Sequence, residues 1–334
     1  MKRSLLTALI LLLVAGFAIA QPDQEYPARD ITDIVVWGAG GGTDTCNRVI
    51  MAELSKALGV NINVINKTGG VAGSAGMLEA YSKPADGYTL VGLSESCVTA
   101  AVQGGWDKRM NVWDFFIVGG SPDVVSVNAN APYNTLEELI DAAKANPGSI
   151  KAGASGAGSI HHLNLLALMK GTGAEFNFIP YPGSAPSQNA ALSGEVTVIV
   201  TSVAEQAQLI RGGKFKPLAV LVPDDFPVGD KIIPSALKKY PELNKYLPLM
   251  QAIGFAIRKD APENVKATLR AAFNEAMKSA SVKKFAEENF YILSGLSGEE
   301  AGKVFDNLES NFAWTLWDLG AAKVDPASLG IPKP

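Results

Sequence analysis

The residues whose types could do chemistry stand out as two histidines, two cysteines and two glycine-rich loops, with Ser155 and several aspartates beside them. His161 and His162 are adjacent, and neighbours on a helix point about 100° apart, so the pair does not chelate one metal. Cys46 and Cys97 stand 51 residues apart, which is no zinc spacing; they form one disulfide or remain two buried thiols. Gly38-Ala39-Gly40-Gly41-Gly42 and Ser155-Gly156-Ala157-Gly158-Ser159 each lie between a strand-like and a helix-like segment. Such loops expose backbone N–H groups at the positive end of a helix, which suits an anion. Either loop alone also reads as a tight connector. The two together, one in each half of the chain, suit a small carboxylate or phosphate held between them. Asp44 stands four residues before Arg48 and pairs with it on one helix face, or caps that helix and reaches a ligand. Trp37 and Tyr181 end strands, as walls of a pocket or as core.

The same residues exclude other readings. The first loop lacks the spacing G-x-G-x-x-G, and no acidic residue closes the second strand, so dinucleotide binding is not indicated. No G-x-x-x-x-G-K-[ST] occurs, so there is no P-loop. Ser155 sits in Ala154-Ser155-Gly156-Ala157-Gly158 rather than in G-x-S-x-G, which leaves a secreted Ser-His hydrolase using His161 or His162 as a poor alternative. No catalytic residue, metal or cofactor is expected.

The elements that must position these loops alternate. Ile31–Trp37, Val60–Ile65 and Tyr88–Leu93 read as strands, with helices over Asp44–Leu58 and up to Tyr81 between them. The pattern restarts with extended segments Phe115–Val118 and Val124–Asn128. A helix over Leu136–Ala145 follows, with Thr135 and Glu138 as a capping box. Strands at Ile150–Ala154, Phe176–Tyr181, Val196–Thr201 and Leu218–Val222 alternate with helices at Ile160–Lys170, Pro186–Leu192 and Val203–Ile210. Residues 223–248 are Pro-rich and read as loop with a short helix, Leu249–Ile257 as the last strand, and the tail as helical. This is an α/β fold with the second unit inserted into the first. Residues 27–123 with 250–334 make lobe 1 and 124–249 lobe 2. Crossing segments near 115–128 and 249–257 form a hinge beside a cleft.

The chain has 334 residues, 47% hydrophobic and 19% charged, which excludes disorder. Residues 1–20 carry a basic start, an apolar run and Ala18-Ile19-Ala20, a signal peptide expected to be cleaved after Ala20. Removing Lys2 and Arg3 moves the net charge from −4 to −6, a poor balance for nucleic acid. No later apolar run reaches the roughly 18 residues of a membrane span.

The motifs together resemble the substrate-binding proteins of tripartite tricarboxylate transporters, the TctC or Bug family. Gly40-Gly41-Gly42-Thr43-Asp44 with Arg48 matches G-G-x-x-D-x-x-x-R, and Asp86-Gly87-Tyr88-Thr89-Leu90 matches D-G-Y-T-L. Asn146-Pro147-Gly148, then Ser155-Gly156-Ala157-Gly158-Ser159 with His162-Leu163, match N-P-G and S-G-x-G-S-x-x-H-L. Pro180-Tyr181-Pro182-Gly183-Ser184 resembles P-Y-x-G-x. The resemblance implies a type II periplasmic binding-protein fold with Venus-flytrap closure, a periplasmic location, and a monomer. It also implies a small carboxylate ligand, delivered to membrane subunits of the TctA and TctB type or sensed for a signalling partner. Carried over, Gly41, Gly42, Thr43 and Asp44 form one wall. Ser155, Gly156, Ala157, Gly158 and Ser159, with His162, form the carboxylate seat. Ser94, Tyr181, Thr201 and Ser202 line the cleft. Trp37 stands where the family often has Pro-rich residues, and it narrows or stacks within the pocket.

Overall fold

A computed structural model describes residues 26–247 and 250–334; the expected signal peptide lies outside these. The chain runs β1 (Ile31–Val35), α1 (Gly42–Leu58), β2 (Ile62–Asn66), α2 (Ser74–Tyr81), β3 (Thr89–Ser94) and β4 (Trp113–Gly120). It continues through β5 (Asp123–Asn128), α3 (Leu136–Ala145), β6 (Lys151–Ser155), α4 (Ile160–Thr172), β7 (Asn177–Tyr181), α5 (Ser184–Ser193), β8 (Val198–Ser202), α6 (Val203–Arg211) and β9 (Phe215–Val220). The remainder is β10 (Phe226–Val228), β11 (Lys231–Ile233), α7 (Ala236–Lys239), β12 (Ile253–Arg258), α8 (Glu263–Ala276), α9 (Ala280–Asn289), β13 (Ile292–Ser297) and α10 (Gly298–Asp318).

Local signals set the helix ends. Gly59 closes α1 in the left-handed region at φ 71°, which a Cβ would disfavour. Thr135 Oγ1 accepts from Glu138 N at 3.2 Å at the start of α3, and the Glu138 carboxylate reaches back to Asn134 N–H. The return bond of the expected box thus lands one residue early.

The strands form two mixed sheets, β13-β4-β12-β3-β1-β2 and β7-β6-β8-β5-β9, with a separate β10-β11 hairpin. In the first, β1 pairs parallel with β2 and β3, and β12 runs antiparallel to β3 and β4. In the second, β6 pairs parallel with β7 and β8, and β5 runs antiparallel to β8 and β9. Apart from the added β13 the two sheets share one plan, so the glycine loops after β1 and β6 occupy equivalent places. The chain passes between the sheets at Ser121-Pro122 and returns between β11 and β12.

Alternation along β4 shows how the first sheet is held. All eight of its residues are buried. Phe115 stacks on Phe305 of α10 at 3.8 Å, while Phe116 faces Phe255 at 4.5 Å and Phe273 at 5.5 Å on the other side. Phe312, Ala313 and Leu316 of α10 join a cluster that also contains Val125 and Leu139 beside the second sheet.

Two expectations need correction. The tail is not purely helical, because Ile292–Ser297 adds β13 as an edge strand on β4. That strand is half-exposed, and its register shifts between Leu293 and Leu296 across Gly295 at φ 73°, which erases the two-residue alternation. The Pro-rich stretch holds the β10-β11 hairpin, turned at Gly229.

Candidate functional site

The carboxyl ends of the parallel strands converge on one small space between the sheets, the place where open α/β sheets hold ligands. Trp37, Gly41, Gly42 and Thr43 reach it from the loop after β1, and Ser94, Glu95 and Ser96 from the end of β3. Ser155 comes from the end of β6, His161 from α4, Gly183 and Ser184 from the start of α5, Glu205 from α6 and Gln251 from the return segment. The cavity measures about 20 Å³, roughly the room of one water.

Hydrogen bonds across this space hold the two sides together. Gly42 N–H donates to Glu205 Oε1 at 2.9 Å, and Gly38 N–H donates to Pro182 O at 3.1 Å. Ile160 N–H, at the start of α4, donates to Ser96 Oγ at 2.8 Å. Each of the two helix starts therefore receives an oxygen from the opposite side.

Behind Glu205 lies a buried charged network. Glu205 Oε2 accepts from Ser202 N–H at 3.0 Å and Ser202 Oγ at 2.9 Å, a capping box at the start of α6. His161 Nε2 lies 3.3 Å from Glu205 Oε2, and its Nδ1 lies 2.8 Å from Asp123 Oδ2. Asn164 Nδ2 donates to the same Asp123 oxygen at 2.7 Å. Burial alone would discharge the imidazole, but the two carboxylates outweigh it and hold His161 well above its ordinary value. Burial likewise works to raise the Glu205 carboxyl, and the His161 charge overrides it, bringing Glu205 down to about 2. On the opposite wall, burial pushes Glu95 up to about 7, although it accepts from Ala252 N–H at 2.6 Å and Ser96 Oγ at 2.8 Å.

This geometry disposes of Ser155 as a nucleophile served by His161. Both imidazole nitrogens already face carboxylates, so none is left to take a hydroxyl proton. His162 points elsewhere: its Nδ1 accepts from Gly158 N–H at 3.1 Å, its ring stacks on Phe178, and burial brings it down to about 4.

Of the residues singled out in the sequence, Trp37, Gly41, Gly42, Thr43, Ser94 and Ser155 line the cavity. Trp37 also donates from Nε1 to Ser94 Oγ at 3.2 Å. Asp44 turns toward Arg48 and Asn66, accepts from Gly40 N–H at 2.9 Å, and lies outside the lining. Gly156 and Ala157 stay in their loop, the former under the Trp37 ring, and Gly158 O accepts from Thr99 Oγ1. Ser159 caps α4 by accepting from His162 N–H at 3.2 Å. Tyr181 donates to Glu195, Thr201 accepts from Gln188, and Ser202 serves the α6 cap. The cysteines are not bonded. Cys46 packs with Ile50, Leu54 and Phe255, and Cys97 belongs to a separate cluster with Val36 and Val98, so both remain buried free thiols.

Glu95, Ser96, His161, Gly183, Ser184, Glu205 and Gln251 join the lining without having been singled out for it. Of these, Glu205 carried a local signal, the S-x-x-E of Ser202-Val203-Ala204-Glu205, and Gly183 and Ser184 lay in the Pro180-Tyr181-Pro182-Gly183-Ser184 motif.

A profile of the tripartite tricarboxylate transporter family receptor, TctC, matches residues 46–296. The chain belongs to this family. It is 29% identical over 330 residues to protein BugT of Bordetella pertussis, covering 96% of this chain and 98% of that one. A solved structure described as a periplasmic transporter is 27% identical with a TM-score of 0.79, covering 88% of this chain and 97% of that one. MatC of Rhodopseudomonas palustris, solved with bound malate, shares the fold at 21% identity and a TM-score of 0.79, over 87% of this chain and all of that one. The TctC-family chain is thus a two-lobed α/β binding protein of the periplasmic type. Among the described residues, no helix is long and apolar enough to cross a membrane.

Proposed function

We propose that this protein is a periplasmic receptor that captures a small carboxylate-bearing solute in the cavity between its two sheets. It then hands the solute to membrane subunits of the TctA and TctB type, without chemical turnover. The observation that carries this reading is the convergence of the α1 start, the first turn of α4 at His161, Ser94 and Ser155 on one small space in a chain of the receptor family. Backbone N–H groups at helix starts bind carboxylate without an arginine clamp. MatC, which shares the fold, holds malate, a ligand of this chemical class.

A space of about 20 Å³ admits no such solute, so the lobes must part for entry and close on the bound ligand. The Gly42–Glu205 and Ile160–Ser96 bonds are the contacts that open and re-form. Thermal-shift screening with di- and tricarboxylates, aromatic carboxylates and acidic amino acids tests the reading, with calorimetric titration of any hit. The expected result is a saturable shift with one ligand per chain. No shift with any carboxylate overturns it.

A further inference from the structure

The charge of the cavity is the wrong sign for a ligand that offers carboxylates alone. Its lining contains the charged Glu205 and Glu95, which burial leaves only partly ionised at neutral pH, and among the described residues no lysine or arginine. Its single cation, His161, is already held between Asp123 and Glu205. Gln251 also faces this space. It is 8% exposed, and its Oε1 is buried with no hydrogen-bond partner among the described residues. A buried acceptor without a donor is costly, and a ligand that supplies the donor recovers that cost on binding.

Glu205 sharpens the point. Its Oε1 occupies the Gly42 N–H, the donor a ligand carboxylate would use at the start of α1. A ligand carboxylate that takes this N–H leaves Glu205 Oε1 beside it, still charged because His161 holds it so. Two carboxylates then share a small, water-poor space, where like charges repel strongly. An N–H group next to the ligand carboxylate reverses the sign of that contact. It gives Glu205 Oε1 a new donor in place of Gly42, and a second N–H reaches the free Gln251 oxygen.

We infer that the ligand of this receptor carries a nitrogen donor, an ammonium or an amide, beside its carboxylate, and that Glu205, Gln251 and Glu95 select it over the matching plain dicarboxylate. This deepens the receptor reading above and rests on it.

The test uses matched pairs titrated calorimetrically into the mature chain at neutral pH: succinate against L-aspartate and succinamate, and glutarate against L-glutamate and L-glutamine. The nitrogen-bearing member of the better pair is expected to bind about tenfold more tightly or better. Glu205→Gln keeps an acceptor for Gly42 N–H while removing the charge, and Gln251→Leu removes the orphan acceptor. Each is expected to shrink the preference several-fold. If Glu205→Gln fails to fold, Gln251→Leu and Glu95→Gln carry the comparison. A dicarboxylate that binds as tightly as its nitrogen-bearing partner overturns the inference and leaves the receptor reading intact. So does a preference unchanged in all the variants that fold. Failure of all six compounds, together with failure of the wider carboxylate screen, overturns both.

Discussion

The two glycine loops follow equivalent strands of two sheets built on one plan, yet they finish their helices differently. After β6, Ser159 closes α4 from within: its hydroxyl accepts from His162 N–H, and the His162 ring accepts from Gly158 N–H. After β1, Gly41 stands at the N-cap of α1 with no side-chain cap, and the buried Gly42 N–H is met by Glu205, 163 residues away on the other side of the cavity. One helix start has a side-chain cap of its own in addition to the Ile160–Ser96 bond across the cavity. The other has no side-chain cap and takes its oxygen from Glu205 across the cavity. The open start is the one suited to exchange an internal oxygen for a ligand's.

The largest test of this difference acts on the network that charges Glu205. His161→Leu leaves Asp123 and Glu205 buried without their shared cation. Removing one partner of a buried ion pair costs about 3–5 kcal/mol, and a urea unfolding midpoint should fall accordingly. The wild-type network also sets a pH window. His161 is raised in the folded state, so its contribution is full below its ordinary value of 6.5 and is lost as pH climbs through the raised value. Glu205 is lowered to about 2, so its contribution is full above its ordinary 4.5 and is lost as pH falls toward 2. From this network, stability should peak between about pH 4.5 and 6.5 and decline on both sides. In His161→Leu the acid limb should flatten, because the charge that lowers Glu205 is gone. A variant that keeps the full acid limb would locate the effect elsewhere.

Gly42→Ala strikes the contact itself. A Cβ at Gly42 would lie 2.7 Å from Glu205 Oε1 and 3.0 Å from the Tyr291 hydroxyl, so the carboxylate must withdraw. Overpacking of this kind costs about 1–3 kcal/mol. The same methyl obstructs any ligand oxygen at Gly42 N–H, so affinity should fall about tenfold or more alongside the melting temperature. Unchanged affinity would mean that ligands do not use the α1 start.

How much of this was legible depended on distance along the chain. The two strand–loop–helix units could be read because each signal is local: a β-branched run, a glycine loop, then an apolar helical stripe. Strand ends and helix starts, read with the family resemblance, put Trp37, Gly42, Ser94 and Ser155 in the cavity, but the same reading also put Tyr181, Thr201 and Ser202 there, and these lie outside the lining. β13 escaped because Gly295 breaks its alternation and its outer edge is exposed. Glu95, His161, Glu205 and Gln251 escaped because they act only where two sheets meet, and no local spacing encodes that meeting. The adjacent histidines show the limit most clearly. They look alike in sequence, yet His161 is charged between two carboxylates while His162 stacks on Phe178 with its value brought down to about 4.

The smallest expected effect completes the comparison. Ser159→Ala removes the local cap of α4, leaving His162 N–H without its side-chain acceptor. Loss of an N-cap hydroxyl costs about 0.5–2 kcal/mol, so the melting temperature should drop by a few degrees. Ser159 is buried and lies outside the cavity lining, so ligand affinity should stay within about threefold of wild type. The contrast with Gly42→Ala is the informative quantity. At the start that carries its own side-chain cap, loss of that cap should change stability without affinity; at the start that has none, the two should change together. If Ser159→Ala instead costs as much affinity as Gly42→Ala, both helix starts face the ligand. The difference in their capping would then reflect only how each loop is packed.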